Sequence, residues 1–278
     1  MRRLILILLG VVALAAAAWF LFFRGSGMPP VYAVTVVKTM PHDPDAFTQG
    51  LFYRDGHFYE STGGEGTSNL RKVDPATGKV LQQQDLSPAY FGEGIVDWGD
   101  RVHQVTWKNQ QGFTYTIKDF TPQPGFSYAG EGWGLTRNDK NIILSDGTPV
   151  LRFLDPSTMK EVSKLTVTAN GCPVEELNEL EWVDGEIYAN IWQTKLIARI
   201  DPTSGKVKSF LDVTGLGPQT SDPDAVPNGI AYDAAGKRLF LTGKRWPELY
   251  EVREGSRQPD SAPAMGQAAQ IMACKAGG

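Results

Sequence analysis

Five short stretches of alternating apolar and polar residues recur along this chain at a nearly constant interval, and that interval restricts the fold more than any other feature. They centre on Tyr59, His103, Leu144, Tyr188 and Phe240, separated by 44, 41, 44 and 52 residues. Each leads to a second such stretch: His57–Ser61 to Leu70–Pro75, Arg101–Val105 to Phe113–Ile117, Asn141–Ser145 to Leu151–Pro156, Glu186–Asn190 to Leu196–Pro202, and Arg238–Thr242 to Leu249–Val252. Three units close on Asp-Pro, at Asp74, Asp155 and Asp201. Proline cannot donate to a strand ladder and aspartate caps its own turn, so these pairs mark strand ends. A period of roughly 40–50 residues with several short strands per unit is the pattern of a β-propeller, and a β-sandwich fits so regular a repeat less well. The 30 glycines, 18 prolines and 10% aromatic residues suit many turns between packed strands. The last unit is one strand short, while Val31–Val37 is a strand without a partner. The prediction is an all-β, five-bladed β-propeller whose ring is closed by the N-terminal strand, leaving no free edge at the seam.

The ends of the chain read differently. Arg2 and Arg3 precede apolar residues from Leu4 to Phe23, broken only by Gly10. Twenty such residues in a helix span a hydrocarbon core of about 30 Å. Ala15–Ala18 offer a signal-peptide cleavage site, but the apolar run continues through Trp19–Phe23, which favours an uncleaved single hydrophobic helix with its N-terminus in the cytoplasm. Residues 1–23 are thus read as a membrane anchor or signal segment, 24–30 as a linker, 31–256 as the propeller domain, and 257–278 as a disordered tail rich in Ala, Gly, Gln and Pro. The domain is expected outside the cytoplasm, in the cell envelope and periplasmic or otherwise extracytoplasmic, either membrane-anchored or secreted. Cys172 and Cys274 are the only cysteines. An exported domain could pair them, but the place of Cys274 in a weak tail favours two free thiols. No CxxC pair exists, so a cysteine zinc site is not expected. A net charge of −4 without a long basic run excludes nucleic acid as an expected partner.

Each unit is entered through a different polar-aromatic motif: Phe47-Thr-Gln-Gly50, Phe91-Gly-Glu-Gly94, Gly130-Glu-Gly-Trp-Gly-Leu135, Leu177-Asn-Glu-Leu-Glu-Trp182 and Pro227-Asn-Gly-Ile230. In a propeller the innermost strands line the central channel. Gln49, Glu93, Glu131 or Trp133, Asn178 or Glu179, and Asn228 are therefore expected near the axis, with Trp107, Trp192, Asp146 and Lys244 contributed by the next strands. A merely structural channel has no need of so many carboxylates, asparagines and tryptophans.

These motifs, with Asn190-Ile-Trp192 and Thr242-Gly-Lys244, resemble in order and number the plant and bacterial glutaminyl cyclases, from about Val31 to Val252. That family consists of five-bladed propellers, unrelated in fold to the zinc-dependent animal enzymes. The resemblance implies a glutaminyl-peptide cyclotransferase, an acyltransferase that uses no catalytic metal or other cofactor, acts on peptides or proteins with N-terminal glutamine, and works as a monomer.

The reaction itself says what is needed. The α-amine of the glutamine attacks its own side-chain amide, a five-membered lactam forms and ammonia leaves. One carboxylate can move both protons if it lies between the amine and the leaving group. Glu93 is chosen; alone it would be an ordinary turn carboxylate, and the motif around it decides otherwise. Lys244 is the second catalytic candidate, binding the oxyanion or lowering the pKa of the substrate ammonium. Gln49 and Asn178 are expected to hold the substrate amide, Trp107, Trp133 and Trp192 to enclose the side chain, Phe47 to support the wall, and Asn228 to face the channel. Structural packing is an equally good account of each tryptophan and amide taken singly. Glu179, Glu181 and Asp146 are read as supporting residues.

Other chemistries fit less well. His42, His57 and His103 show no zinc-ligand spacing, and no GxSxG motif is present. A calcium-dependent lactonase-like hydrolase, with Glu93, Asn178, Asn228 and Asp146 as oxygen ligands, leaves the tryptophans unused and sets Lys244 against the cation. A non-enzymatic propeller scaffold is the third possibility.

Overall fold

The computed structural model describes residues 28–274. The N-terminal hydrophobic helix expected over 1–23 lies outside the described residues, among which no helix is long and apolar enough to cross a membrane.

The described chain is all-β apart from one short helix. After β1 (Val31–Pro41), three four-stranded antiparallel sheets follow in sequence order. The first holds β2 (Thr48–Arg54), β3 (His57–Thr62), β4 (Asn69–Val73) and β5 (Val80–Asp85). The second holds β6 (Gly92–Trp98), β7 (Arg101–Thr106), β8 (Gln111–Thr116) and β9 (Pro122–Ser127). The third holds β10 (Leu135–Arg137), β11 (Ile142–Leu144), β12 (Val150–Leu154) and β13 (Glu161–Thr166). A two-stranded hairpin, β14 (Thr168–Ala169) and β15 (Cys172–Pro173), precedes two further groups: β16 (Leu177–Val183), β17 (Glu186–Ile191), β18 (Leu196–Ile200) and β19 (Val207–Asp212), then β20 (Pro227–Asp233), β21 (Arg238–Gly243) and β22 (Glu248–Arg257). The strand left without a partner in the sequence finds one here: β1 pairs antiparallel with β22, from Tyr32 opposite Arg257 to Pro41 opposite Glu248. Its first residues also pair in parallel with β19, which joins the last two groups into one eight-stranded sheet.

The first strand of each group packs against the first strands of its neighbours in the cyclic order β2, β6, β10, β16, β20 and back to β2. Burial falls outward from this ring. The first five residues of β2 are buried, whereas the outer strand β5 alternates between half-buried and exposed and β13 is exposed along nearly its whole length. Five apolar clusters fill the gaps between adjacent sheets; between the first two, Phe52 stacks on Tyr59 at 4.7 Å beside Leu70, Ile95, Val102 and Phe120. The Asp-Pro turns behave as expected: the Asp74 carboxylate accepts from Ala76 N and Thr77 N, and Asp155 and Asp201 repeat the turn at the ends of β12 and β18.

Two expectations are corrected. The segment read as a disordered tail instead ends β22 at Arg257 and then forms α1 (Pro263–Ile271). Proline opens the helix, and Ala264, Met265, Ala268 and Met272 form one buried stripe against the core. The Ala- and Gln-rich composition hid that stripe, because alanine is a weak hydrophobic signal and an excellent helix former. The cysteines are not free: Cys172 in β15 and Cys274 after α1 form a disulfide spanning 102 residues. Docking of α1 brings Cys274 to the β14–β15 hairpin, a proximity that the sequence separation conceals.

Candidate active site

At one end of the strand ring the starts of four inner strands are deformed in the same way. Each carries one extra residue against its hairpin partner: between Thr48 and Gly50, between Gly92 and Ile95, between Leu177 and Leu180, and between Pro227 and Ile230. A bulge of this kind re-aims side chains, and those lying in the four bulges include Gln49, Glu93, Asn178 and Asn228. Close approach of the inner strands requires missing side chains. A Cβ on Gly94 would meet Leu135 N at 2.5 Å, and one on Gly134 would meet Asn178 O at 2.2 Å.

The result is a cavity of about 250 Å³ lined by Phe47, Gln49, Phe91, Glu93, Trp107, Trp133, Asn178, Trp192 and Lys244. Aromatic rings form most of its wall. Trp133 and Trp192 meet edge to face at 5.8 Å, Phe91 meets Trp107 at 5.8 Å, and Phe47 meets Phe91 at 6.1 Å. The Lys244 ammonium lies 4.6 Å from the centre of the Phe47 ring.

Two ionisable groups of opposite sign are buried in this cavity, Glu93 and Lys244, each 5% exposed. Burial drives the proton affinity of Glu93 well above the usual carboxylate range; Lys244 opposes this and Glu131 adds to it. Burial also lowers the pKa of Lys244, against the pull of Glu93 and Asp224. Both shifts have the same origin, the cost of holding charge away from water. Gln49 Nε2 donates to Glu93 Oε1 at 3.1 Å, and Gln49 Oε1 accepts from Asn228 Nδ2 at 3.0 Å. This chain sets the amide orientation of Gln49, with its NH₂ toward the carboxyl. Asn178 Oδ1 is buried without a partner.

Eight of the nine residues singled out from the sequence thus line one cavity. Asn228 is the exception. It lies behind Gln49 with Nδ2 shared between Gln49 and the Thr48 carbonyl, because the bulge in β20 turns it toward β2. Glu179 is also withdrawn from the cavity; it accepts Leu51 N at 3.1 Å and Ile230 N at 2.8 Å, tying three inner strands together. Sequence reasoning missed the cluster that holds the Lys244 loop. His42 Nδ1 donates to Trp246 O at 2.6 Å and His42 Nε2 to Glu60 Oε1 at 2.9 Å, while Glu60 also accepts from Arg71 and Thr48. Burial alone would raise the Glu60 pKa, but His42 and Arg71 take it down to about 2. No motif signals this network, since its members are spread from His42 to Trp246.

The chain matches the glutamine cyclotransferase family over residues 5–254. It is 41% identical over 260 residues to a glutaminyl-peptide cyclotransferase of Arabidopsis thaliana, covering 87% of this chain and 81% of that relative. The crystal structure of Myxococcus xanthus glutaminyl cyclase superposes with a TM-score of 0.78 at 36% identity, over 83% of this chain and all of that one. By sequence and by fold, the chain belongs to the glutamine cyclotransferase family.

Proposed function

We propose that this cavity is where the protein closes an N-terminal glutamine into pyroglutamate, with Glu93 moving the protons and Lys244 stabilising the oxyanion. The observation that carries the reading is a buried carboxyl of raised proton affinity and a buried ammonium sharing one aromatic-walled cavity in a member of this family.

The glutamine side chain enters between Trp107, Trp133 and Trp192, which enclose its methylenes and exclude water. Holding the chain folded lowers the entropic cost of ring closure. The partnerless Asn178 Oδ1 is an acceptor for the substrate's α-amine. The α-nitrogen attacks the side-chain amide carbon, so one C–N bond forms while its proton passes to the Glu93 carboxylate. As the tetrahedral centre collapses, Glu93 returns that proton to the departing nitrogen, the old C–N bond breaks and ammonia leaves. A carboxyl with raised proton affinity suits both steps. Lys244 faces the oxygen on which negative charge develops. Gln49 holds Glu93 in place, and Asn228 holds Gln49.

The ring of inner strands is read as five blades, the fifth built from β20 to β22 and completed by β1. Catalysis is assigned to side chains alone, because a lysine ammonium in the same cavity opposes a divalent cation. An extracytoplasmic location is supported by the apolar stretch at 4–23 and by the Cys172–Cys274 disulfide. The test is to follow ammonia release from a peptide beginning in glutamine, using the full-length chain. Release should persist in a chelator, vanish in Glu93→Gln, and be absent with N-terminally blocked peptide. A folded protein that releases no ammonia above the spontaneous rate would sink the reading, and chelator-sensitive turnover would sink the metal-free mechanism.

A further inference from the structure

Glu131 lies on the connection into β10, two residues before Trp133, and is not on the cavity wall. One of its oxygens, Oε2, accepts both the Trp107 Nε1–H at 2.7 Å and the Trp133 Nε1–H at 2.9 Å. The two indoles come from different sheets: Trp107 follows β7 and Trp133 precedes β10. We propose that Glu131 is a positioning residue of this site, a single carboxylate oxygen clamping two cavity indoles and so fixing the width of the slot for the glutamine side chain. The inference rests on the function proposed above for the identity of that side chain.

An indole offers one polar atom, and it can only donate. Ring contacts with Phe91 and Trp192 restrain the planes of Trp107 and Trp133 but leave each ring free to slide. A hydrogen bond to a carboxylate is charge-assisted and directional, so it fixes what packing leaves soft. The backbone repeats the tie: Gly132 N donates to Trp107 O at 3.1 Å, Trp133 N to Ser145 O at 2.9 Å, and Gly94 N to Trp133 O at 2.7 Å. The Glu131–Trp133 segment therefore runs as one strut from Trp107 to the residue beside Glu93. A Cβ at Gly132 would sit 2.6 Å from Tyr128 Oη, so the strut lies flush against the second sheet. The Glu131 charge also pushes the proton affinity of Glu93 upward, in the same direction as burial and less than burial does. Position and charge are thus two separable contributions of one carboxylate.

The experiment compares the full-length chain with Glu131→Ala and Glu131→Gln by steady-state cyclisation of a glutaminyl peptide and by the NMR signals of the indole N–H groups. The alanine variant loses both bonds, and KM should rise on the order of tenfold or more, with the Trp107 and Trp133 signals displaced. The glutamine variant keeps a carbonyl acceptor and should recover most of that KM. Its indole signals should move less, and the acid limb of its pH–rate profile should shift to lower pH, because Glu93 has lost a neighbouring negative charge. An alanine variant that melts earlier but keeps its KM and indole signals would overturn the clamp. Should the alanine variant fail to fold, Glu131→Asp decides, because its carboxylate is one methylene too short to reach both indoles: displaced Trp107 and Trp133 signals with a raised KM support the clamp, and unchanged signals and KM overturn it. If the unmutated protein itself does not cyclise the peptide, the proposed function fails, and the indole signals still decide the clamp separately.

Discussion

The two ends of the strand ring are built from the same five inner strands yet handle polar groups in opposite ways. At the far end lies a larger cavity of about 840 Å³, lined by the last residues of the inner strands and their turns. Several of its charged side chains are tied to partners within the protein. Asp97 accepts from Arg54 at 2.8 Å and from Arg137 at 2.7 Å, and the buried Glu181 accepts Tyr232 N at 2.8 Å. At the aromatic end, Asn178 Oδ1 is buried without a partner, and Glu93 has a side-chain donor in Gln49 while facing open cavity. Volume alone would pick the far end. A substrate needs groups whose hydrogen-bonding capacity is still available and whose proton affinity has been moved, and the smaller cavity offers both.

The contrast is sharpest in paired substitutions. Glu93→Gln should lower kcat by about 10²–10⁴-fold, as expected for loss of a general acid–base group, with no loss of thermal stability. A variant that keeps its turnover would remove the distinction between the two ends. Lys244→Met keeps the length of the side chain and removes its charge, and should cost about 10²–10³-fold in kcat if the ammonium meets the oxyanion; a rise in KM alone would make Lys244 a binding group. At the far end, Asp97→Asn leaves Arg54 and Arg137 with a weaker acceptor and should cost about 1–3 kcal/mol of stability, seen in denaturant unfolding, with turnover little changed. Lost turnover in a stable Asp97 variant would show the far end to be functional.

The smallest effect on turnover is expected at Glu181, whose pKa burial raises from 4.5 to about 8. A carboxyl held neutral by the fold costs nothing below its unfolded pKa and costs progressively more as pH rises through the window from 4.5 to about 8. Glu181→Gln should therefore raise Tm at pH 9, and the gain should shrink as pH falls and disappear below about pH 4, where folded and unfolded states both hold the proton. An equal gain at both ends of that range would mean that packing, not ionisation, sets the difference.

Much of this was legible before the fold was known. The period between Tyr59 and Phe240 announced repeated strand groups, and the Asp-Pro signals at Asp74, Asp155 and Asp201 mark turns that each aspartate caps. The cavity residues could be named because each sits beside a motif at the start of a unit. The bulges that aim them could not, since an extra residue in one strand is visible only against its partner. Nor could the Glu60 cluster, assembled from His42, Thr48, Arg71 and the Trp246 carbonyl, or the helix and disulfide at the C-terminus, where composition outweighed a short apolar stripe.

The sequence by itself determined the strand periodicity, the turns and the kinds of side chain at each unit's entrance, because these depend on neighbours a few residues away. Only the tertiary structure decided which of those side chains face one cavity, that Asn228 stands behind Gln49, and that the Glu93 carboxyl is pushed up while the Glu60 carboxyl is pulled down. Proton affinity and accessibility are set by groups brought together across the ring, and burial and charge act through space without regard to position along the chain.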